Sequence, residues 1–471
     1  MDRYEIRGGR PLQGEVTVSG AKNAVLPILA AAVMIEGTTV LEHCPDLADV
    51  RNMCGILEHL GCCVERQGEQ LWIDARNVRC CSIPEMMMKQ LRSSVFLAGP
   101  LLARCHQAAL SSPGGCAIGE RPIDLHFLGL TSLGAKIRER NGRLFCFAAP
   151  LKGTNIELSY PSVGATENIM MAAALAEGVT ILRNAAREPE IADLERFLNS
   201  CGAKIRGAGT PEIRIEGVKK LHPCTYRIMG DRIEGVTYLM AAAITGGTVT
   251  VRGLEPAWIG AEMEVLSRMD CGFTTGVERG TPYISLCSPA RLKSPGMVKA
   301  EPWPGFSTDL QSPLMALCTK AEGVSVIEDT VFERRFGCAD GLRKLGAEIR
   351  IDGRKAYITG TSEKRFSEGK TVVAGDLRGG AALVLKALEN RGLVIVENIC
   401  HIDRGYGKFD IVLKELGAHV EKRIGHGRKT TGISEEQTKK EKKKEEALSP
   451  EVHDFGGAGD GALFSADIAS V

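Results

Sequence analysis

One short pattern recurs six times along this chain, and it constrains the fold more than any other feature. Leu60-Gly61-Cys62, Leu133-Gly134-Ala135, Cys201-Gly202-Ala203, Cys271-Gly272-Phe273, Leu345-Gly346-Ala347 and Leu416-Gly417-Ala418 follow one another at intervals of roughly 70 residues. Each closes a helical pattern, with glycine where a left-handed C-cap belongs. All but the last run into an alternating strand such as Lys204-Ile205-Arg206 or Glu348-Ile349-Arg350. Upstream of each lies a β-branched run that reads as a strand: Gly37 to Leu41, Gly178 to Leu182, Gly247 to Val251, Gly323 to Ile327 and Gly392 to Val396. The second copy shows this run only faintly, as Ala108-Ala109-Leu110.

Before each strand comes an alanine-rich apolar helix: Ala24 to Met34, Val95 to Ala103, Glu167 to Ala176, Thr237 to Ile244, Leu310 to Ala321 and Ala381 to Leu388. Helices apolar nearly all round belong beneath sheets, so the repeated unit is α/β: helix, strand, helix, strand and a further strand. A chain of 471 residues is too long for one ordinary core, and six such units divide naturally into two domains of three.

The helix starts carry the chemistry. Lys22-Asn23, Leu91-Arg92-Ser93-Ser94, Ser162 to Thr166, Asp231-Arg232, Ser307-Thr308-Asp309 and Asp376-Leu377-Arg378 stand at the N-terminal ends of the buried helices. Free amides and the helix dipole make such ends anion sites when they face one cleft. Ordinary capping accounts for Ser162 or Ser307. It does not account for Lys22, Arg92 and Arg378, whose charge is unfavourable at a helix start unless an anion sits there.

The segment from Ser111 to Pro122 interrupts the second unit with three glycines and two prolines around Cys116. Such a composition disfavours helix and central strand and predicts a loop. A thiol there, near Arg121, is placed to be reactive, because a neighbouring cation favours the thiolate. The other reading is a surface loop with an incidental cysteine.

Composition excludes several alternatives. A formal charge of +1 gives no sign of nucleic-acid or membrane-surface binding. Sixteen cysteines scattered without a signal peptide, Cys-x-x-Cys or histidine ligand spacing suggest reduced thiols in a cytoplasmic protein, with no metal site. The longest apolar run, Ala24 to Ile35, contains Pro27 and is too short for a bilayer. Beyond Arg423 the chain turns basic, glycine-rich and then densely charged, so residues 424–471 read as a disordered tail.

With these residues laid out, the chain resembles the UDP-N-acetylglucosamine 1-carboxyvinyltransferases, a family of enolpyruvyl transferases. The resemblance runs from residue 1 to about Arg423. It rests on Gly14 to Pro27, Pro113 to His126, Pro161 to Met170, Pro304 to Gln311, Asp376-Leu377-Arg378 and His401 to Tyr406. It implies an inside-out α/β barrel pair: two domains, each of three βαβαββ-type units, around an active-site cleft. Residues 22–229 would form one domain, and 1–21 with 230–423 the other. The implied reaction moves the enolpyruvyl group of phosphoenolpyruvate to the 3-hydroxyl of UDP-N-acetylglucosamine and releases phosphate, with no cofactor or metal.

The resemblance also implies roles. Cys116 would be the general acid and Asp309 the base. Lys22, Asn23, Arg121, Arg378 and Arg404 would hold phosphoenolpyruvate, Lys22 and Arg404 taking part in catalysis. Asn23, Arg92, Arg121, Pro122, Ile123, Asp124, Leu125, Ser162, Val163, Gly164, Asp309 and Val331 would contact UDP-N-acetylglucosamine. Departures from the family pattern fall at Trp303, Ser307, Gly235-Val236, Arg334 and Gly379-Gly380, and extra glycine is expected to loosen the helix start at Arg378. The competing functions are shikimate-pathway enolpyruvyl transfer and a non-catalytic paralogue that binds the nucleotide sugar and regulates cell-wall synthesis.

Overall fold

The β-branched runs become the second strand of a sheet that recurs in each unit. In the third unit, Asn155–Glu157 lies parallel to Val179–Arg183, Glu212–Glu216 pairs antiparallel on the other side, and Lys204–Arg206 closes the edge. The computed structural model describes residues 1–111, 123–361 and 368–425, and holds six such sheets, five of four strands and one of three. The short one belongs to the second unit, Gln107–Ser111 with Arg143–Phe147 and Lys136–Arg140, where the leading strand shrinks to a single parallel bridge between Ser82 and Ala109.

Three strands reach their sheets from distant parts of the chain. Thr225–Arg227 leads the sheet of the first unit, beside Thr38–Glu42. Gln13–Thr17 leads that of the fourth, beside Thr248–Arg252. Arg3–Arg7 sits inside the sheet of the sixth, antiparallel to Leu393–Glu397 on one side and His419–Arg423 on the other. The sixth unit therefore does run on into a strand, one whose partner comes from the start of the chain.

The apolar helices are observed as Lys22–Ala32, Ala98–Cys105, Val163–Ala174, Arg232–Thr245, Gln311–Cys318 and Leu377–Glu389. The second and fifth are led in by 3-10 turns at Arg92–Leu97 and Thr308–Leu310. Their alanines allow close approach, and they fill two cores. One gathers buried side chains from Ala21 to Met229, the other those of Tyr4 to Val18 with Ile233 to Val420. Trp258 packs against both.

Five of the six marker glycines take the left-handed conformation that ends a helix, Gly61 at φ 105° and Gly202 at φ 93° among them. The fourth does not. Gly272 opens the strand Gly272–Glu278, and Asp270, at φ 67°, makes the left-handed turn instead. The fourth marker is thus Met269-Asp270-Cys271, two residues earlier than the glycine suggests, with aspartate tolerating the conformation.

The chain divides into two units, Met1–Gly425 and His426–Val471. The second, with residues 112–122 and 362–367, lies outside the described residues, as does the reading of 424–471 as a tail beyond Gly425. Among the described residues no helix is long and apolar enough to cross a membrane.

Candidate active site

The starts of two buried helices, one from each core, are tied by one carboxylate. Asp231 caps Arg232–Thr245 by accepting from the Ile233 and Glu234 amides through Oδ1 at 2.9 and 3.0 Å. Its Oδ2 accepts from the Lys22 amide at 3.0 Å, satisfying a donor that helix Lys22–Ala32, without a side-chain cap, leaves open. Pro27 inside that helix has no N–H to offer the Asn23 carbonyl.

Two carboxylates organise the cations here. Asp49, in the first turn of helix Ala48–Leu60, takes the Lys22 ammonium at 2.7 Å and Nε of Arg404 at 2.9 Å. Asp309 takes Nη2 of Arg335 at 2.5 Å and Nη2 of Arg378 at 2.8 Å, and accepts from Nδ2 of Asn23 at 3.3 Å. The Arg378 guanidinium also lies over the Tyr406 ring, 5.4 Å from its centroid. Lys22, Asn23, Asp309, Arg378 and Arg404 are thereby brought together from widely separated segments.

This corrects one inference from sequence. Lys22 and Arg378 at helix starts require no external anion for compensation, because Asp49 and Asp309 supply the negative charge within the chain. Burial would raise the Asp309 pKa, but Arg378 and Arg335 outweigh it and hold the carboxyl well below the usual carboxylate range. Burial lowers the Lys22 pKa, with Asp49 opposing and Arg378 and Arg404 adding to the fall. For Asp49, burial is outweighed by Lys22 and Arg404, and its pKa is lowered.

A second group lies at other helix starts. Ser162 accepts from the Ala165 amide at 3.4 Å and caps Val163–Ala174, and Ser307 accepts from the Asp309 amide at 3.3 Å, so both serines do cap. A Cβ on Gly164 would come within 2.9 Å of the Phe96 ring and 3.0 Å of the His126 ring. Ile123 precedes helix Asp124–Ser132, which carries Asp124, Leu125 and His126. Burial first, then the charge of Arg92, pushes His126 down to about 4. Val331 is held by its amide, which donates to Asp329 Oδ1 at 2.9 Å, while Asp329 Oδ2 accepts from the Thr308 hydroxyl at 2.7 Å beside Asp309.

Cys116, Arg121 and Pro122 lie outside the described residues. Sequence reasoning missed Asp49, Asp329 and Arg335. An acidic residue in a helix first turn reads as ordinary dipole compensation, and the only signal for Asp49 was its place in the apolar-periodic helix face, where it is 2% exposed. The expected loosening at Arg378 is not observed. Asp376 caps Leu377–Glu389 through the Arg378 and Gly379 amides, both at 2.9 Å. A Cβ on Gly380 would stand 2.7 Å from Ile402, so glycine there permits close packing.

Sheets repeated six times over two cores, with cations and carboxylates converging from both, define an enolpyruvyl-transferase type of architecture. The family model for EPSP synthase (3-phosphoshikimate 1-carboxyvinyltransferase) matches residues 6–413. The enolpyruvyl transferase NikO from Streptomyces tendae superposes with a TM-score of 0.80 at 25% identity, over 90% of this chain and 99% of that one. EPSP synthase from Acinetobacter baumannii shares the fold, with a TM-score of 0.69 at 20% identity over 90% of this chain and all of the other (100%).

Sequence relatives are more specific. UDP-N-acetylglucosamine 1-carboxyvinyltransferase 2 of Caldanaerobacter subterraneus is 47% identical over 420 residues, covering 89% of this chain and 99% of the relative. UDP-N-acetylglucosamine 1-carboxyvinyltransferase 1 of Symbiobacterium thermophilum is 49% identical over 425 residues, covering 89% and 95%. The chain belongs to the UDP-N-acetylglucosamine 1-carboxyvinyltransferase family.

Proposed function

We propose that this protein transfers the enolpyruvyl group of phosphoenolpyruvate to the 3-hydroxyl of UDP-N-acetylglucosamine, releasing phosphate, as the first committed step of peptidoglycan synthesis in the cytoplasm. The observation that carries this reading is the meeting of Lys22, Asn23, Asp309 and Arg378, at helix starts from both cores, with Arg404 at the end of a 3-10 turn. The two cores correspond to two domains, 22–229 and 1–21 with 230–423, each an inside-out α/β barrel of three βαβαββ units, with the substrates in the cleft between them.

The chemistry requires an acid and a base on opposite sides of the reacting carbons. The Cys116 thiol gives its proton to C3, and the cation developing at C2 is captured by the sugar oxygen, whose proton passes to Asp309. The tetrahedral intermediate then returns a proton from C3 to the Cys116 thiolate, re-forms the C2–C3 double bond and expels phosphate, which leaves with the proton held by Asp309. Lys22, Arg121 and Arg404 hold the phosphate and carboxylate by charge-assisted bonds. Asp309 is a weak base while two arginines share its charge. Arg378 is the one that also serves the substrate anion, so its turn toward phosphoenolpyruvate restores basicity as the substrate arrives. Arg92, Asn23, the run Pro122 to Leu125, Ser162 to Gly164 and Val331 hold the nucleotide sugar.

Phosphate release by the purified protein tests the reading. Release with phosphoenolpyruvate and UDP-N-acetylglucosamine, but not with shikimate 3-phosphate as acceptor, supports it. Cys116→Ala should abolish or strongly reduce this release and prevent alkylation by the epoxide fosfomycin. Mass spectrometry placing the epoxide on a different cysteine would refute the role of Cys116.

A further inference from the structure

The geometry points to Asp49 as the positioning residue that fastens Lys22 and Arg404 together as one anion-holding pair. This rests on the carboxyvinyl-transfer reading. Asp49 is 2% exposed and spends both oxygens on the two cations: Oδ2 accepts from Lys22 Nζ at 2.7 Å and Arg404 Nη2 at 3.3 Å, Oδ1 from Arg404 Nε at 2.9 Å. Lys22 opens the first buried helix, and Arg404 ends a 3-10 turn at Ile399–Arg404 near the other end of the chain. Nothing local in sequence would hold their side chains side by side. Two like charges at such separation repel, and a shared carboxylate turns that repulsion into a bridge.

The remaining surroundings of Lys22 give Asp49 a second task. Its side chain is 13% exposed, and the charged groups facing it are Asp49 from helix Ala48–Leu60, Arg404 from the 3-10 turn and Arg378 from helix Leu377–Glu389. Asp231 reaches its backbone amide. Burial and two guanidinium groups favour the neutral amine, and Asp49 is the carboxylate that opposes them. With two cations and one carboxylate, the trio retains one net positive charge for a bound anion. Asp49 thus keeps Lys22 both in place and charged.

The test compares wild-type protein with Asp49→Asn, reading the KM for each substrate at pH 6 and pH 9 by phosphate release. The KM for phosphoenolpyruvate should rise in the variant at both values, and at least about threefold more at pH 9 than at pH 6, because without Asp49 burial and two guanidinium groups lower the Lys22 pKa further, each unit costing up to a factor of ten in charged lysine. The KM for UDP-N-acetylglucosamine should stay within about threefold at both values. An equal loss at both pH values, or parallel rises for both substrates, would mean a merely structural role and overturn the assignment. If the asparagine variant does not fold, Asp49→Glu replaces it. Moving the carboxylate by one methylene should raise the KM for phosphoenolpyruvate alone, and an unchanged value overturns the assignment. Absence of phosphate release by the wild type would instead defeat the carboxyvinyl-transfer reading. Calorimetry with inorganic phosphate at the same two pH values then decides the role of Asp49 separately, retention of equal affinity by the variant at pH 9 overturning it.

Discussion

Arg232 and Glu190 form an ion pair across the two cores, Nε to Oε1 at 2.9 Å, with side chains 5% and 3% exposed. The arginine is the first residue of helix Arg232–Thr245 and the glutamate lies in the first turn of Pro189–Ser200. Burial opposes the charge on Arg232, but Glu190, Glu262 and Glu188 outweigh it and raise its pKa. Glu167, buried close by, is pushed well above the usual carboxylate range by burial and by Glu190 and Glu188.

Removing one partner of a buried pair leaves the other charge uncompensated, which costs about 3–5 kcal/mol. Arg232→Met should therefore lower the unfolding free energy by that amount in urea titration. Arg196→Met, whose arginine is 53% exposed in its pair with Asp193, should cost about 1 kcal/mol or less. Equal effects of the two substitutions would contradict the bridging role of Arg232.

Arg335 bears on the base. Its pair with Asp309 is one of two that hold that carboxyl low. Arg335→Met should raise the Asp309 pKa, so the acidic limb of the kcat profile should move to higher pH. Activity lost at the acid end of the profile should be regained toward neutrality, and an acidic limb that stays fixed would exclude Asp309 as the group it reports.

His126 gives the chain an acid-sensitive point. Its Nδ1 accepts from Asn168 Nδ2 at 3.1 Å, which requires the tautomer with the proton on Nε2 and leaves no place for a second proton. With a folded-state pKa of about 4 against an ordinary 6.5, the neutral ring favours the folded state. That contribution is complete above pH 6.5 and is lost as pH falls toward 4, amounting to about 3 kcal/mol. His126→Phe should lack this loss, so the stability curves of variant and wild type should converge on acidification. Parallel curves from pH 7 to 4 would refute the assignment.

Truncation after Gly425 should leave the melting temperature and the steady-state rate nearly unchanged. The last buried side chain of the second core is Val420, and the Gly425 amide, which donates to Asp2 Oδ1 at 3.0 Å, is retained. A fall of more than a few degrees would mean that residues beyond 425 contribute to the fold.

Much of this was legible in the sequence, because helix caps, apolar helices and β-branched strands are local patterns. The capping roles of Ser162 and Ser307 followed from residue type alone. The fourth marker was misplaced because Asp270 adopts a conformation normally read as glycine. Asp49 escaped because one of its partners is far along the chain: 355 positions separate it from Arg404. Nothing in the segment around Arg3–Arg7 foretells that it pairs with strands near residues 395 and 421.

That last pairing sets a timetable for biogenesis. The fully buried side chains of the first core lie between Ala21 and Met229, with only Trp258 packing against it from beyond, so it can consolidate while the ribosome is still translating the rest. The second core has no such option. Its inner strand Arg3–Arg7 is made long before its neighbour His419–Arg423. Until that neighbour is made, those five residues lack a strand partner on one side, which leaves a half-apolar edge open to wrong pairing.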